Sequence, residues 1–532
     1  MAKTRRFRAG ILLVAMLVAS CSSGGSPAAK SSSGGSSAAP TKAADPAAVA
    51  APDPTLAGYT PKGPLVADDG FRPQTDGFPF PNYGAGSVTP EPVNLAAPDV
   101  RKLFGDGVCL DASTGKCDLI PEAQQWMDQV NKSIAGGHCY GFSVLSELLW
   151  RKMQDPNDFG ASATAQLSLP TNDALQHALA YTWSFQQLDS VNAARVLGTP
   201  SDILDKLLQV LTPNPTETYT VAIFKRDGSG GHAVTPFAVE DAGGGVFNVL
   251  IYDNNYPGVT RALTIDRNQN TWKYDAATNP SEPSELYDGD ATTGSLLLYP
   301  TSPGVGTQPC PFCGKSGTVG GGAHSVAGAT PLQANGAPAM DDVYLDGGDV
   351  DHGHLLITDE GGHRLGIVDG KLVNEIPGAT VSRNFANEDW MENPEPDYSV
   401  PDGVKYTITL DGTGLQEPDP SVIGVIGPSF DLYVDNVNLQ PGEKSTVAVT
   451  PDATNVSFTS TNSETPDVEI GVSDDNADYS LGVSGGAVQP GSTLDLGLPI
   501  NGATMTLGNV PGGNYTLTLT RDDDQQSIDF KH

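Results

Sequence analysis

The chain is poor in basic residues, in cysteine and in long apolar segments. Lysine and arginine together number 29 against 63 aspartates and glutamates, so the formal net charge at pH 7 is −34. Because such a surface repels phosphate backbones, nucleic acid is excluded as an expected partner. No segment after the first 21 residues is long and apolar enough to cross a bilayer. Abundant glycine (61) and proline (42) instead favour a β-rich exported protein, and a length of 532 residues predicts several domains.

The first 21 residues have the features of an export signal. A basic start (residues 1–8) precedes the run GILLVAMLVAS, which is too short to span a membrane and has the length of a signal-peptide core. Val18-Ala19-Ser20-Cys21 resembles a bacterial lipobox, which implies a lipid on the Cys21 sulfur. Residues 22–58 are mostly Ser, Gly, Ala, Pro and Lys, as in a flexible tether. The sequence therefore predicts a cell-envelope lipoprotein that contacts the membrane outside the cytoplasm through this anchor alone; an ordinary secretory signal with an incidental cysteine is the alternative.

Cysteine spacing predicts two disulfides and one free thiol. The six cysteines are Cys21, Cys109, Cys117, Cys139, Cys310 and Cys313. Cys109 and Cys117 bracket a turn-like segment, and Cys310 and Cys313 form a CPFC, so each pair is expected to be oxidised in an exported protein. A redox or zinc half-site is the alternative for the CPFC, although the chain has no second CxxC. Cys139 remains as the unpaired thiol.

The pattern of apolar residues predicts a helical region followed by antiparallel sheets. Residues 59–300 form the first domain, with helical periodicity at its start and β-branched, aromatic strands after it. Residues 301–335 are expected to be a linker that contains the CPFC. Short strands at regular spacing then predict one or two sandwich modules, a β-rich module over 336–430 and a β-sandwich over 431–532.

Three short segments of the first domain contain residue types that a cysteine hydrolase uses. Cys139 begins an amphipathic helix, where the partial positive charge of the helix N-terminus favours a thiolate. His232 opens a strand, and Asp253, Asn254 and Asn255 end the strand that returns beside it. Cross-strand neighbours lie about 4.5–5.5 Å apart at Cβ, so one of these three residues is expected to orient the His232 ring. A thiol nucleophile needs such a base, and the base needs such a third group.

In this order of residues the chain resembles the papain-like cysteine peptidases, most closely the bacterial branch that includes bacteriocin-processing peptidase domains. The resemblance covers about residues 139–258 and implies an α+β papain-like domain. It implies that Cys139 is the nucleophile, His232 the general base and Asp253 the orienting group, with Asn254 or Asn255 as alternatives. A peptide or protein substrate is implied as well. No cofactor and no metal ion are expected.

One position departs from the family pattern. The family has a glutamine six residues before the cysteine, which donates to the oxyanion, whereas this chain has Ser133 there. Asn131 and Gln129 are nearby amides that could take the role. An oxyanion donor contributes about 3–4 kcal/mol to transition-state stabilisation. Either one of these groups supplies it, or the domain is a weak or non-peptidase relative.

A second group of polar residues lies in the segment DGGDVDHGH. It contains Asp346, Asp349, Asp351, His352 and His354, whose spacing does not match an EF-hand loop and is interpreted as a solvated acidic loop. The sequence thus predicts a surface-anchored cysteine peptidase or amide hydrolase. The alternative is a non-catalytic surface lipoprotein whose first domain is a scaffold and whose sandwich modules bind a partner or polymer.

Overall fold

The computed structural model of the chain describes most of its residues after the tether. The described residues are 56–110, 112, 116–226, 230–277, 283–313, 339–347, 352–382, 395–450, 455–473, 477–499, 504–509, 513–522 and 527–531. The described residues do not include the predicted signal, Cys21, most of the tether, linker residues 314–335, Asp349 or Asp351. Within the described part, no helix is both long and apolar enough to cross a membrane.

The first domain contains seven helices and eight strands within the described ranges. The helices are α1 (Pro73–Asp76), α2 (Ala97–Phe104), α3 (Pro121–Ile134), α4 (Cys139–Trp150), α5 (Asp173–Trp183), α6 (Asp189–Ala193) and α7 (Pro200–Val210). The strands are β1 (Leu65–Asp68), β2 (Tyr219–Phe224), β3 (Gly231–Gly243), β4 (Val246–Tyr252), β5 (Thr260–Asp266), β6 (Thr271–Ala276), β7 (Glu285–Asp290) and β8 (Leu296–Pro300). Except for β1 and the short α1, the helical region precedes the strands, as the sequence pattern predicts.

The helical region is organised around α4, which is almost completely buried. Its sequence is predominantly apolar, as in a helix that other elements enclose, and every residue from Cys139 to Leu149 is buried. α4 packs against α5 and β3. Gly141 permits the close approach of α5, because a side chain at this position would collide with the backbone of Leu179. Helix α4 therefore carries Cys139 into the contact between the helices and the sheet.

The sheet of the first domain is antiparallel, in the order β7-β6-β5-β4-β3-β2-β8, with β1 added beside β3. Strand β3 pairs with β2 near its start and with β4 further along. Three glycines at residues 243–245, all with positive φ, connect β3 to β4. The predicted hairpin is confirmed, and it brings the start of β3 and the end of β4 to the same end of the sheet.

Glu147 is a buried carboxyl group on α4 that should make stability depend on pH. Burial raises its pKa to about 8. The folded chain then keeps Glu147 protonated at neutral pH, whereas the unfolded chain ionises it above about 4.5, so stability is lost as the pH rises from about 4.5 to 8. We expect Glu147→Gln to be more stable than the wild type at pH 8 and not at pH 4.5, with a difference that grows by up to about 1.4 kcal/mol per pH unit. Thermal unfolding at several pH values measures this difference, and parallel curves for the two chains would contradict it.

The C-terminal region forms two antiparallel sheets. Its strands are β9 (Met340–Asp346), β10 (His354–Asp359), β11 (Arg364–Val368), β12 (Lys371–Asn374), β13 (Thr380–Ser382), β14 (Asp397–Pro401), β15 (Tyr406–Asp411), β16 (Asp419–Gly427), β17 (Phe430–Leu439), β18 (Lys444–Val449), β19 (Asn455–Ser460), β20 (Asp467–Ser473), β21 (Asp478–Ser484), β22 (Thr493–Gly497), β23 (Thr506–Gly508), β24 (Thr516–Asp522) and β25 (Ser527–Lys531). One sheet has the order β12-β11-β10-β15-β18-β19-β22-β23 and the other β13-β14-β9-β16-β17-β20-β21-β24-β25.

The two sheets enclose a common apolar core, as in a sandwich. Val343 and Leu432 come from the nine-stranded sheet, and Leu410 and Phe458 from the eight-stranded sheet, and all four are buried in the same cluster. The expected division into modules over 336–430 and 431–532 falls at the hairpin of β16 and β17. Strands from both sides of residue 430 belong to both sheets, so the described strands of the two expected modules share one core.

Helix α3 connects the first domain to the sandwich. It packs against β16, β17 and β20. The buried Gln125 amide donates hydrogen bonds to the carbonyl oxygens of Val425 (3.2 Å) and Leu432 (3.0 Å). The Gln125 amide N–H groups of α3 are therefore bonded to sandwich backbone, and the sandwich buries part of the first domain.

Both predicted disulfides are present. Cys109 and Cys117 are bonded with their Cα atoms 4.9 Å apart, and Cys310 and Cys313 with theirs 5.4 Å apart. Cys139 is the free cysteine of the described residues. The CPFC is thus an oxidised pair rather than a metal half-site.

Candidate active site

The candidate nucleophile is the first residue of α4. Two glycines and His138 precede it, and Gly137 has a φ of 153°, a conformation that residues with a side chain rarely adopt. No side chain caps the helix at His138. The first N–H groups of a helix have no intrahelical partner, so the backbone directs donors and a partial positive charge towards Cys139. This environment favours a negative charge on the sulfur or on a reacting oxygen beside it.

His232 and Asp253 form a buried pair at the end of the hairpin. The His232 Nε2 atom lies 2.8 Å from Asp253 Oδ1, and neither side chain is exposed to solvent. His232 is held in β3 opposite Ile223 of β2, and Asp253 follows the last residue of β4. Because the strands separate at this end, the two residues meet through their side chains rather than as a ladder pair. The structure therefore brings together the predicted base and the predicted orienting carboxylate.

The pair favours an imidazolium and a carboxylate. Burial alone lowers the pKa of His232, but the charge and hydrogen bond of Asp253, together with the nearby Cys139 side chain, raise it to about 10. Burial likewise opposes ionisation of Asp253, but His232 and further donors lower the pKa of the carboxyl group below its usual value. The pair thus stays charged at neutral pH, so the ring can stabilise a thiolate and later donate a proton.

The ring nitrogen that remains for the sulfur is Nδ1. Because Nε2 is bonded to Asp253, Nδ1 is the atom of His232 that can face Cys139, and it is buried without a hydrogen bond of ordinary geometry. The Cys139 side chain nevertheless interacts with the ring strongly enough to contribute to its raised pKa.

Tyr274 and Arg261 support the carboxylate and were not predicted from the sequence. The Tyr274 hydroxyl donates to Asp253 Oδ2 at 2.5 Å, and Arg261 Nε donates to the Tyr274 oxygen at 2.8 Å. The backbone N–H of Asn255 donates to Asp253 Oδ1 at 2.9 Å. Alternation along β6 marks Tyr274 as an inward residue, but it does not indicate its partner. Asp253 is therefore held in place by His232 of β3, by Tyr274 of β6 and by the backbone that follows it.

Asn254 and Asn255 are not the group that orients the base. The Asn254 amide donates to the carbonyl oxygens of Cys139 (3.1 Å) and Ala233 (2.8 Å). The Asn255 amide donates to Ala277 O at 2.7 Å. Both side chains are thus hydrogen-bonded to backbone carbonyl oxygens, and Asp253 is hydrogen-bonded to Nε2 of His232. Asp253, rather than Asn254 or Asn255, is therefore the residue in contact with the His232 ring, and Asn254 connects the backbones of Cys139 and Ala233.

The predicted oxyanion donors lie on α3, where two of them have other partners. Asn131 bonds both the N–H (2.9 Å) and the carbonyl oxygen (3.0 Å) of Leu95. The Gln129 amide is directed at Asp397, 3.5 Å away. Ser133 is buried in the last turn of the helix. The Asn131 and Gln129 amides are therefore engaged in contacts with Leu95 and Asp397.

An N-terminal segment, residues 82–85, crosses the loops that carry the site. Asn82 N donates to Asn254 O at 2.9 Å, and its side-chain oxygen accepts from the N–H of His138 at 2.8 Å. The His138 ring stacks on Tyr83 and donates from Nδ1 to the Tyr83 carbonyl oxygen at 2.8 Å, while Nε2 meets the Asn94 amide. Burial lowers the pKa of His138 to about 4. Burial therefore keeps His138 neutral at pH 7, and the ring packs between Tyr83 and Asn94 beside Cys139.

The site is closed to solvent in this structure. Cys139, His232, Asp253 and Asn254 each have 0% of their surface exposed. A substrate can reach the sulfur only after neighbouring residues move. Comparison with protein-family models, with curated proteins and with solved structures finds no match to this chain.

Proposed function

We propose that this chain is a cysteine hydrolase of papain-like type that cleaves peptide or related amide bonds outside the cytoplasm. One observation supports the proposal above all. The unpaired Cys139 lies at the start of a helix, and His232, whose Nε2 atom is bonded to Asp253, lies close to it. A packing cysteine needs neither a base nor a buried carboxylate. A buried ion pair is costly to maintain, so its presence beside a free thiol supports a chemical role.

The proposed reaction uses the three side chains in sequence. The Cys139 thiolate attacks the substrate carbonyl carbon, and the N–H groups at the start of α4 stabilise the resulting oxyanion. The imidazolium of His232 donates its proton to the leaving amine, which leaves a thioester on Cys139. His232 then takes a proton from water, and the resulting hydroxide attacks the thioester carbonyl and expels the Cys139 thiolate, which releases the carboxylic acid and restores the thiolate–imidazolium pair. Asp253 holds the ring and stabilises its charge throughout.

The second candidate is a non-catalytic surface protein with the same fold. Complete burial of the site and the engagement of Gln129 and Asn131 elsewhere favour it. Incubating the full exported chain with a diverse peptide mixture, followed by mass spectrometry, separates the two candidates. The hydrolase proposal predicts new termini with the wild type and none with Cys139→Ala. Cleavage that is equal for both chains, or no cleavage by either, would favour the binding protein.

We further propose that the chain is anchored to the cell envelope by lipid on Cys21. The support is the lipobox-like segment and the Ser/Gly/Ala/Pro-rich tether behind it. Two or more acyl chains hold a protein stably on a membrane, and about 0.8 kcal/mol is gained per buried CH₂. Labelled fatty acid should enter the wild type and not Cys21→Ala, and Cys139→Ala should be labelled like the wild type. Equal labelling of Cys21→Ala would contradict the anchor.

A further inference from the structure

A cluster of two histidines and a glutamate lies in the sandwich, away from the candidate active site. His352 and His354 stand at the start of β10, and Glu395 precedes β14 by two residues. One donor atom from each residue lies within 4.8 Å of the others. His352 and Glu395 are buried, and 26% of the His354 side chain is exposed. We propose that these three residues bind a zinc ion, an inference that does not depend on the proposed hydrolase activity.

The type of donor favours zinc over the hard cations. Two imidazole nitrogens and one carboxylate oxygen are a common zinc ligand set, whereas calcium takes six to eight oxygens. Ligand atoms about 2.0–2.1 Å from a tetrahedral zinc are about 3.4 Å from each other. The His354 Nδ1 and Glu395 Oε2 atoms share a hydrogen bond at 2.6 Å, so a bound zinc ion would replace the proton between them and move the two atoms apart, and His352 would complete the set. Three protein ligands leave the fourth position for water.

Neighbouring groups hold the three side chains in orientations that suit a metal ion. The His352 Nδ1–H donates to Gly353 O at 2.7 Å, which fixes the tautomer with the lone pair on Nε2. Glu395 Oε1 accepts from the Tyr398 hydroxyl (2.6 Å) and from Leu355 N (3.0 Å), so Oε2 is the oxygen that points to His354. Such second contacts are typical of metal ligands.

The backbone between the two histidines is also fixed. Asp419, at the start of β16, accepts a hydrogen bond from Gly353 N at 3.0 Å. A side chain at residue 353 would meet the end of the Leu439 side chain, so the glycine gives this segment room to pass. The backbone between the two histidines is therefore held by its hydrogen bond to Asp419.

The position of the cluster defines a structural role for the ion. His354 belongs to the eight-stranded sheet, whereas Glu395 leads into β14 of the nine-stranded sheet. An ion bound to both would connect the two sheets of the sandwich at one edge. Metal that binds only the folded state stabilises it by mass action, so zinc should raise the melting temperature of the sandwich.

Zinc titration of the full exported chain tests this proposal. The titration uses Cys139→Ser as the parent, because the thiol and His232 could themselves bind zinc. After treatment with EDTA and dialysis, the parent should bind one equivalent of Zn²⁺ in calorimetry, and its melting temperature should rise. His354→Gln and Glu395→Gln should each weaken binding by at least about 100-fold and abolish the rise. His354 is partly exposed, which makes its replacement compatible with folding.

His363→Gln is the matched control. His363 forms a similar 2.8 Å contact with a carboxylate, Asp359, on the same sheet but is outside the cluster, so this variant should bind zinc like the parent. The zinc absorption-edge spectrum of the parent should show nitrogen and oxygen neighbours that include two imidazoles, and no sulfur. No stoichiometric binding by the parent, unchanged binding by both cluster variants, or a sulfur neighbour would overturn the proposal.

Discussion

Replacing His232 with alanine should lower peptide cleavage by about 10³–10⁴-fold with little change in KM. The variant removes the proton donor to the leaving group and the positive charge that stabilises the thiolate, both of which act mainly in the transition state. It also leaves the Asp253 carboxylate buried without its main partner, so the fold must be checked by circular dichroism and thermal unfolding. His232→Gln, which keeps a polar side chain of similar size, provides a second variant if His232→Ala is poorly folded.

The matched control for His232 is His177→Ala. His177 forms a 2.8 Å contact with Asp99 in the same domain, but it is partly exposed and remote in sequence from the site residues, so its loss should change turnover by less than about two-fold. Imidazole added to folded His232→Ala should restore part of the activity, because the substitution leaves a cavity beside Asp253. Comparable losses in His177→Ala and His232→Ala would contradict a specific role for His232.

Replacing Asp253 with asparagine should lower turnover by about 10²–10⁴-fold and change its pH dependence. In the wild type the carboxylate is the main reason that the pKa of His232 is raised to about 10. Without it, burial of the ring acts in the opposite direction and lowers the pKa. The imidazolium is then lost at lower pH, so the alkaline limb of the kcat/KM profile should move to lower pH. The pH profiles of the two chains, measured from pH 5 to 10, test this expectation.

Tyr274→Phe distinguishes the effect of the Asp253 charge on turnover from the effect of the hydrogen bond that Tyr274 donates to it. The variant removes the donor to Asp253 Oδ2 but keeps the carboxylate and its contact with His232. We expect a loss of less than about ten-fold and an alkaline limb that stays near the wild-type position. An effect of Tyr274→Phe as large as that of Asp253→Asn would mean that the phenol, rather than the carboxylate charge, controls the base.

Local features of the sequence are enough to predict several parts of the site. Short cysteine spacing predicts both disulfides, and the glycines before Cys139 and at residues 243–245 mark the start of α4 and the hairpin turn. Counting back from that turn places His232 near the residues that follow β4. The sequence leaves the choice among Asp253, Asn254 and Asn255 open. The strands separate at this end, so the length and direction of each side chain decide which residue contacts the His232 ring.

The parts that the sequence does not predict depend on contacts between distant segments. The role of Asn131 is determined by its contact with Leu95, which helical periodicity in α3 does not reveal. The support from Tyr274 comes from a strand two positions away in the sheet. Likewise, His352 and His354 resemble a solvated loop in sequence. Their carboxylate neighbour, Glu395, lies beyond β11 and β12 in the chain, so the sequence around the histidines does not indicate the contact.

The rate of Cys139 alkylation by iodoacetamide as a function of pH is the most direct test of the central claim that Cys139, His232 and Asp253 act as one unit. The disulfide-bonded cysteines stay unreactive without reductant, and Cys21→Ala removes the other cysteine of the chain, so the alkylated peptide reports on Cys139 alone. We expect the wild type to react readily at pH 6 and His232→Gln to react at least about 100-fold more slowly there, because an ordinary thiol with a pKa of about 8.5 is almost fully protonated at pH 6. Equal rates in the two chains, or no alkylation of the folded chain at any pH, would contradict the account.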